Sequence, residues 1–357
     1  MKTLRGYLTR EIIAATSLVF AALLMLFAFF DLIDQIRDVG RGSYSYRHVV
    51  VYVLLSAPNH VYELFPIAVL IGTLFALAQL VASSEYTVMR ISGVSITRMT
   101  AMLMGVGGLF AVLTFVFGEF IAPHAEQLAQ RLRSQAITGL VAQEFRSGLW
   151  LKDKNSFINV LEVLPNSTLK GIRIYEFDDQ YRLQSISLAK RGDYRGGRQW
   201  MLKDVVRTTF NDRKTSVRTI AEENWQSVLD PELLNVLLVQ PEQMSAWSLY
   251  SYAQHLRENR QKTLQYEIAL WAKLMYPIAV MVMMVLALPF AYYQHRQGGV
   301  GAKIFAGIML GLAFYFLNRL FAHLGLLNDW PPLVSAIVPT LFFLSMAVGM
   351  LWWQERR

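Results

Sequence analysis

The sequence contains no cysteine, and charged residues make up only 17% of its 357 residues. Without cysteines there can be no disulfide framework, so a large domain in an oxidising compartment would be held together by its own apolar core. Soluble domains carry about 25% charged residues, and here the shortfall is concentrated in long blocks. The composition therefore indicates a membrane protein.

The sequence also lacks the motifs of an active site or a nucleotide site. Its six histidines are scattered, without an H-E-x-x-H pattern, and His124 and Glu126 lie too close in sequence to indicate a set of metal ligands. The nearest approach to a phosphate loop is GGVGAK (298–303), which lacks the required spacing and is better explained as a turn between two spans. We therefore expect no catalytic residue, no metal site and no cofactor in this chain.

Six apolar segments are long enough to cross a membrane, which takes about 20 helical residues. The first has a longer apolar core than a signal peptide and no clear cleavage site, so we interpret it as a retained span. The second carries Pro58 near its start, which predicts a kinked, overlong helix. The segments are Ile12 to Ile33, Val49 to Ala82, Met99 to Ala122, Leu264 to Tyr293, Ala302 to Leu324 and Leu333 to Trp353.

Basic residues in the short flanks predict the orientation of the spans, because cytoplasmic flanks carry more Lys and Arg. Their positions predict cytoplasmic termini, whereas Arg37, Arg41 and Arg47 after the first span depart from this pattern. The net charge of +8 favours contact with anionic lipid over nucleic acid. The basic residues on the predicted cytoplasmic side are Lys2, Arg5, Arg10, Arg90, Arg98, Arg296, Arg356 and Arg357.

The long stretch between the third and fourth spans has a different pattern. Residues 124–137 predict a helix that continues the third span, and residues 244–261 predict a helix that leads to the fourth. Between them, alternating apolar and polar residues predict strands separated by the turns DKNS, FDDQ, DYRGGR and NDRK, which is typical of a β-sandwich or jellyroll-like domain. The predicted strands are residues 157–163, 171–177, 181–190, 199–210 and 216–225.

A short polar segment, SSEYTVMRISGVS (83–95), separates the second and third spans. Ser83 or Ser84 is suited to cap a helix, and Gly93 to end it. Glu85 falls in the first turn and Arg90 in the last, where the helix dipole favours each charge. Glu85, Val88, Met89 and Ser92 then share one face. Two explanations fit this pattern equally well. It is either an ordinary capped turn or a docking helix that offers its face to a cytoplasmic partner.

Several motifs together resemble the lipopolysaccharide-export permease family, LptF/LptG, over essentially the whole chain. The docking-helix segment resembles that family's coupling helix, and the remaining motifs follow in the same order along the chain. The pattern G-x-G-S-Y (40–44) and the pattern Y-x-x-x-L-W-x-K (266–273) are more similar to the G branch than to the F branch. The other matching stretches are DQIRDVGRGSYS (34–45), IAPHAEQLAQRLRSQA (121–136), GLWLKDKNSFINV (148–160) and YEIALWAKLMYPIAVMVMMVLALPF (266–290).

The resemblance implies the permease subunit of an ATP-driven ABC transporter in the bacterial inner membrane. It implies an α-helical integral membrane protein with six transmembrane helices and a periplasmic β-jellyroll-like domain inserted between helices 3 and 4. The domains would be residues 1–140 with the coupling helix at 83–93, residues 141–262 as the jellyroll, and residues 263–357. The implied partners are a homologous F-type permease, two copies of a cytoplasmic ATPase that uses the ATP, a membrane-anchored periplasmic jellyroll protein and lipopolysaccharide. Lipopolysaccharide would be extracted from the outer leaflet and passed to a periplasmic bridge.

The implied substrate carries phosphates at the membrane surface, and basic residues are available there to bind them. Residues at the outer ends of three spans lie on one predicted membrane face, and the aromatic run LFAFF (26–30) would supply an apolar wall for acyl chains. Snorkelling to ordinary headgroups is the alternative explanation for each cation. Asp31, Asp34 and Asp38 reduce the local positive charge. The predicted lipopolysaccharide-binding residues are Arg37, Arg41, Arg131, Arg133, Lys273, Phe27 and Phe30, and the predicted ATPase-coupling residues are Glu85, Val88, Met89 and Arg90.

Two other classes of function remain open from the sequence alone. A membrane-embedded, lipid-modifying enzyme would need polar catalytic groups that converge at one membrane face, and it would turn over lipid without ATP. A tethering protein would use its β-domain to bind partners and its spans only as an anchor, although six spans exceed what an anchor needs. Co-purification of a nucleotide-binding ATPase would favour the transporter over both.

Overall fold

A computed structural model describes residues 2–137, 149–153, 155–163, 168–178, 180–211, 214–227, 240–258, 261–293 and 300–356. Among them, six helical stretches are long and apolar enough to cross a membrane, which confirms the predicted number of spans. Of the predicted turn GGVGAK, residues 298–299 lie outside the described residues, whereas residues 300–303 already form the first turn of a helix, so that part of the predicted turn is wrong. The helices are α1 (Lys2–Ile36), α2 (Tyr46–Ala82), α3 (Glu85–Ile91), α4 (Ile96–Val116), α5 (Ala122–Ala136), α6 (Ala246–Glu258), α7 (Leu264–Tyr293), α8 (Val300–Leu327) and α9 (Pro332–Glu355).

The third membrane span is built from two helices joined without a break. A π turn (Phe117–Ile121) links α4 to α5, so that helical backbone continues from Ile96 to Ala136. The predicted helical continuation of the third span is therefore confirmed. Single π turns inside α-helices often mark functional positions, and this one brings Gly118 against the ring of Tyr62.

Helix α2 lies at the centre of the transmembrane bundle and packs against α1, α5, α7 and α8. It is 37 residues long and continues through both Pro58 and Pro66, which confirms the overlong helix, whereas the kink at Pro58 stays a prediction. The C-terminal half of α2 is apolar on all sides, as expected for a helix that other helices surround. The core around it includes Leu70, Leu74, Leu77, Leu103, Met284 and Leu288.

The close contact between α1 and α2 depends on a glycine. A Cβ atom at Gly72 would lie 2.5 Å from the Cα atom of Thr16, so an added methyl group would push the two backbones apart. We expect Gly72→Ala to destabilise the purified protein by about 1–3 kcal/mol, the usual cost of overpacking. The measurement is the thermal midpoint in detergent. Gly108→Ala is the matched control, because nothing lies within 4 Å of its Cβ position, and equal midpoints for the two variants would contradict this packing.

The residues between α5 and α6 contain an antiparallel sheet in which every strand pairs with its neighbour along the chain. The five predicted strands are confirmed, and the short strand β1 was not predicted. The predicted turn DYRGGR is partly wrong, because β4 runs on through Asp193 and Tyr194 and the chain turns at Gly197 and Arg198. The strands are β1 (Leu149–Asp153), β2 (Ser156–Val163), β3 (Leu169–Phe177), β4 (Leu183–Gly196), β5 (Gln199–Asn211) and β6 (Lys214–Gln226).

One physical reason for the longer β4 hairpin is the cross-strand ion pair between Asp193 of β4 and Lys203 of β5. The carboxylate of Asp193 accepts a hydrogen bond from Arg191 and lies 3.2 Å from the ammonium of Lys203, and the Arg191 contact is the largest cause that lowers the pKa of Asp193. Both Gly197 and Arg198 have positive φ, which suits a tight two-residue hairpin turn.

One face of the sheet is apolar and forms a core of its own. Alternate residues such as Ile158, Val160, Ile172, Ile174 and Trp200 are buried there, as the period of two requires. The described strands form one sheet with β1 and β6 at its edges. A jellyroll needs two packed sheets, so the jellyroll stays a prediction.

Candidate functional site

The end of α1 is fastened to the end of α5 by a compact loop. Gly40 and Gly42 both take positive φ, which the G-x-G-S-Y pattern permits at low steric cost. Ser43 donates hydrogen bonds to the carbonyl oxygen of Ala136 from its backbone N–H (2.7 Å) and its hydroxyl group (3.0 Å). Tyr44 is buried behind the loop and its hydroxyl donates to Gln35. Burial also raises the pKa of Tyr44, which keeps it a neutral donor.

Two of the predicted phosphate-binding arginines meet at one carboxylate. Buried Asp38 accepts a hydrogen bond from Arg41 at 2.7 Å with one oxygen and from Arg133 at 2.7 Å with the other. Asp38 thereby holds together two cations from different parts of the chain, Arg41 from the loop after α1 and Arg133 from α5. Arg41 remains largely exposed, so its guanidinium keeps donors for a further anion.

The other predicted cations are placed differently. Arg37 is exposed beyond α1, where it makes a long 3.9 Å contact with Asp34, and Arg131 is exposed on α5. We refer to Arg37, Arg41, Arg131 and Arg133 as the arginine cluster. Lys273 does not join it: its ammonium donates to the carbonyl oxygen of Met244 and lies 5.2 Å from the ring centre of Tyr62.

Lys273 and the arginine cluster lie beside different parts of α2. Tyr52 bonds to Gln130 of α5 beneath the cluster, whereas Tyr62 lies under Lys273. Ten helical residues correspond to about 15 Å. The structure thus corrects the expectation that Lys273 belongs to the same cationic rim.

The predicted aromatic wall divides into an inner and an outer part. Phe27 is half-buried, with its ring centre 5.2 Å from that of His60 on α2. Phe29 and Phe30 are exposed side by side below the arginine cluster. Of the two predicted contacts, Phe30 is therefore the one available to a lipid.

Polar side chains between α1, α2 and α5 were not predicted as a group. Asp31 pairs with His60 at 2.6 Å, which explains why a carboxylate occupies this position of α1. Gln130 donates to buried Glu126 and to the hydroxyl oxygen of Tyr52. These residues come from three separate segments of the sequence, and only the folded chain brings them together.

Helix α3 lies near the opposite end of α1. The hydroxyl of Tyr7 donates to Glu85 at 2.9 Å and links the two helices. About 30 residues separate Tyr7 from the arginine cluster, which corresponds to about 45 Å of helix. The two candidate sites therefore lie at opposite ends of the transmembrane bundle.

The local predictions for α3 are confirmed in part. Glu85 and Arg90 lie in its first and last turns, and Gly93 has a φ of +88°. The predicted serine cap is wrong, because Ser84 takes a left-handed conformation and its side chain makes no capping hydrogen bond. The hydroxyl of Ser83 instead donates to Glu85 at 3.1 Å.

The exposed face of α3 differs from the predicted one. Val88 is 62% exposed, but Met89 is only 9% exposed and packs into the transmembrane core. Met89 therefore holds the helix in place and does not present a surface for docking. Ile91, which was not predicted, is 82% exposed, and its position three residues after Val88 is the signal that could have identified it.

Comparison with known proteins shows the family of the chain. Residues 6–353 match the family described as lipopolysaccharide export system permease LptF/LptG. The chain is 30% identical over 354 residues to the lipopolysaccharide export system permease protein LptG of Haemophilus influenzae, covering 99% of this chain and 98% of that protein. It is 31% identical over 348 residues to the LptG protein of Escherichia coli, covering 97% and 96% respectively. The chain therefore belongs to the LptF/LptG family of lipopolysaccharide export permeases.

Proposed function

We propose that this chain is the permease subunit of an ATP-driven ABC transporter that extracts lipopolysaccharide from the outer leaflet of the bacterial inner membrane. In this proposal both termini and α3 face the cytoplasm, and the sheet lies in the periplasm. The observation that carries it is the arginine cluster, which stands at the outer end of an exposed apolar helix.

The surface of α1 matches the two parts of such a substrate. Large apolar side chains are exposed along the helix, which is unusual unless lipid or protein covers them. Acyl chains would lie against this wall, and the phosphates would bind the arginines beyond its end, since guanidinium groups form charge-assisted hydrogen bonds with phosphate oxygens. The exposed apolar residues include Leu18, Met25, Leu26, Phe29, Phe30 and Ile33.

The partners follow from what the chain does not supply for itself. ATP would be bound and hydrolysed by two copies of a cytoplasmic ATPase, one of which docks on α3. The contact would be formed by the side chains of α3 that are exposed or partly exposed, which are Glu85, Val88, Arg90 and Ile91. A homologous permease would complete the lipid cavity beside α1.

The sheet would form the exit from this cavity towards the periplasmic bridge. Its apolar face, with Ile158 and Val160 of β2, would accept acyl chains. The backbone groups at an edge strand can pair with a strand of a second protein. A membrane-anchored periplasmic jellyroll protein is the proposed partner at such an edge.

The test is site-specific photo-crosslinking in living membranes. A photoreactive amino acid at Phe30 is expected to capture lipopolysaccharide. Val334 is the matched control, since it is also exposed but lies at the outer end of α9, which makes its main contacts with α7 and α8. Equal capture at the two positions would show only contact with bulk lipid and would contradict the proposed entry site.

A further inference from the structure

Three membrane spans place the outer boundary of the hydrocarbon at the same level. About 20 helical residues cross the hydrocarbon core. Counted from Ala82, the last residue of α2, they reach Tyr62. Counted from Met99, which follows the charged Arg98 on α4, they reach Glu119, and counted back from Tyr293, the last residue of α7, they reach Lys273.

These three residues also meet in space. The ammonium of Lys273 lies over the ring of Tyr62, and a Cβ at Gly118, next to Glu119, would lie 2.4 Å from that ring. Three independent counts along the sequence therefore converge on one contact cluster. We call this level, defined by Tyr62, Glu119 and Lys273, the boundary level.

Helix α6 begins at the boundary level. Both carboxylate oxygens of Glu119 accept backbone hydrogen bonds from its first turn, from Ala246 at 2.7 Å and Trp247 at 3.1 Å. Lys273 donates to the carbonyl oxygen of Met244 just before it. Backbone groups that are removed from water must be satisfied by protein partners, and the first N–H groups of a helix have none within the helix. The start of α6 has these partners.

From this level α6 rises beside the first turns of α7. Contacts run antiparallel: Met244 is near Lys273, the rings of Tyr252 and Tyr266 are 4.6 Å apart, and Arg257 pairs with Glu267 at 2.6 Å. Leu249 and Leu256 are buried in the same contact. One side of α6 is thus fixed to α7, and the other side faces away from it.

The side that faces away carries two large aromatic residues close to the boundary level. Trp247 is 73% exposed and Tyr250 is 54% exposed, and Gln254 continues the same face one turn higher. Trp and Tyr are enriched at membrane–water interfaces, where their rings lie in the apolar part and their polar atoms reach headgroups. Exposed Ile278 on α7 continues the apolar surface below them.

We propose that α6 is an interfacial anchor whose Trp247 and Tyr250 contact phospholipid of the outer leaflet. The anchor holds the segment that returns from the β-sheet at a fixed height on the bundle. This proposal depends only on the position of the spans in the membrane. It can therefore be tested independently of lipopolysaccharide binding.

The absence of cysteine allows a direct measurement of depth. Single substitutions Trp247→Cys, Tyr250→Cys and Gln254→Cys are spin-labelled in the full chain reconstituted in phospholipid vesicles. Collision with oxygen, which partitions into hydrocarbon, is compared with collision with a water-soluble nickel complex. Ile278→Cys serves as the hydrocarbon reference, and Val217→Cys, exposed on β6, serves as the water reference.

The expected result is a gradient along α6. Seven helical residues correspond to about 10 Å, so nickel collision should rise several-fold from position 247 to position 254, with position 250 between them. Nickel access at both 247 and 250 as high as at 217 would place α6 in water and overturn the proposal. Labels at both positions that are immobilised and shielded from both reagents would show that protein covers this face, which would also overturn it.

Discussion

Neutralising Arg131 and Arg133 together is expected to reduce lipopolysaccharide capture at Phe30 about tenfold or more. Each charge-assisted hydrogen bond contributes roughly 1.5–3 kcal/mol, and about 1.4 kcal/mol corresponds to a tenfold change in affinity. Both arginines are partly exposed, and screening by water and salt reduces these contributions, so the estimate rests on the loss of two groups. The measurement is crosslink yield at Phe30 in Arg131→Gln/Arg133→Gln, with the amount of bound ATPase as a separate readout.

The design must separate lost phosphate contacts from a disturbed loop, because Arg133 also binds Asp38. Arg133→Lys keeps the charge and should retain most of the capture. Arg182→Gln/Lys190→Gln removes the same number of charges from exposed ion pairs of the sheet and should leave capture unchanged. Wild-type capture by the Arg131 and Arg133 double variant would show that these side chains only reach ordinary headgroups.

Reversing the charge of Glu85 is expected to uncouple the chain from the proposed ATPase. Glu85→Lys places a cation in the first turn of α3, where the helix dipole disfavours it, and removes the only acidic side chain of this helix. We expect the co-purified ATPase to fall at least tenfold, or export to stop, while the chain still inserts into the membrane. Pull-down of the ATPase and surface lipopolysaccharide measure the two effects.

The contact between Glu85 and Tyr7 provides the matched control. Tyr7→Phe removes the hydrogen bond inside the chain and leaves the carboxylate available to a partner. If Tyr7→Phe lost the ATPase as fully as Glu85→Lys, the defect would arise from the α1–α3 contact and not from docking. Undiminished ATPase binding and export in Glu85→Lys would remove the coupling role.

The sequence was sufficient to predict features that depend on local patterns. Membrane spans are long apolar runs, and strands such as β3 and β5 alternate apolar and polar residues, so both can be recognised without knowledge of their neighbours. The positions of Arg90 in the last turn and Gly93 beyond it also follow from local chemistry. For this reason the number of spans and most of the sheet were predicted correctly.

Features that depend on distant partners could not be predicted in this way. The burial of Met89 depends on how a seven-residue helix lies on the transmembrane core. The capping of α6 joins Glu119 to a residue 127 positions away. Lys273 was assigned to a membrane face from its place in a span, but its contacts with Tyr62 and Met244 come from other elements. Sequence patterns indicate the type of each residue's environment, whereas pairing requires the folded chain.

In the proposed function, lipopolysaccharide enters beside α1 and leaves when the partner ATPase hydrolyses ATP. The most direct test follows the Phe30 crosslink in vesicles that contain the assembled transporter, before and after addition of ATP. We expect strong capture without ATP and a loss of capture with ATP that a non-hydrolysable analogue does not cause. Capture at Phe30 that stays the same with ATP, while lipopolysaccharide is still exported, would contradict it.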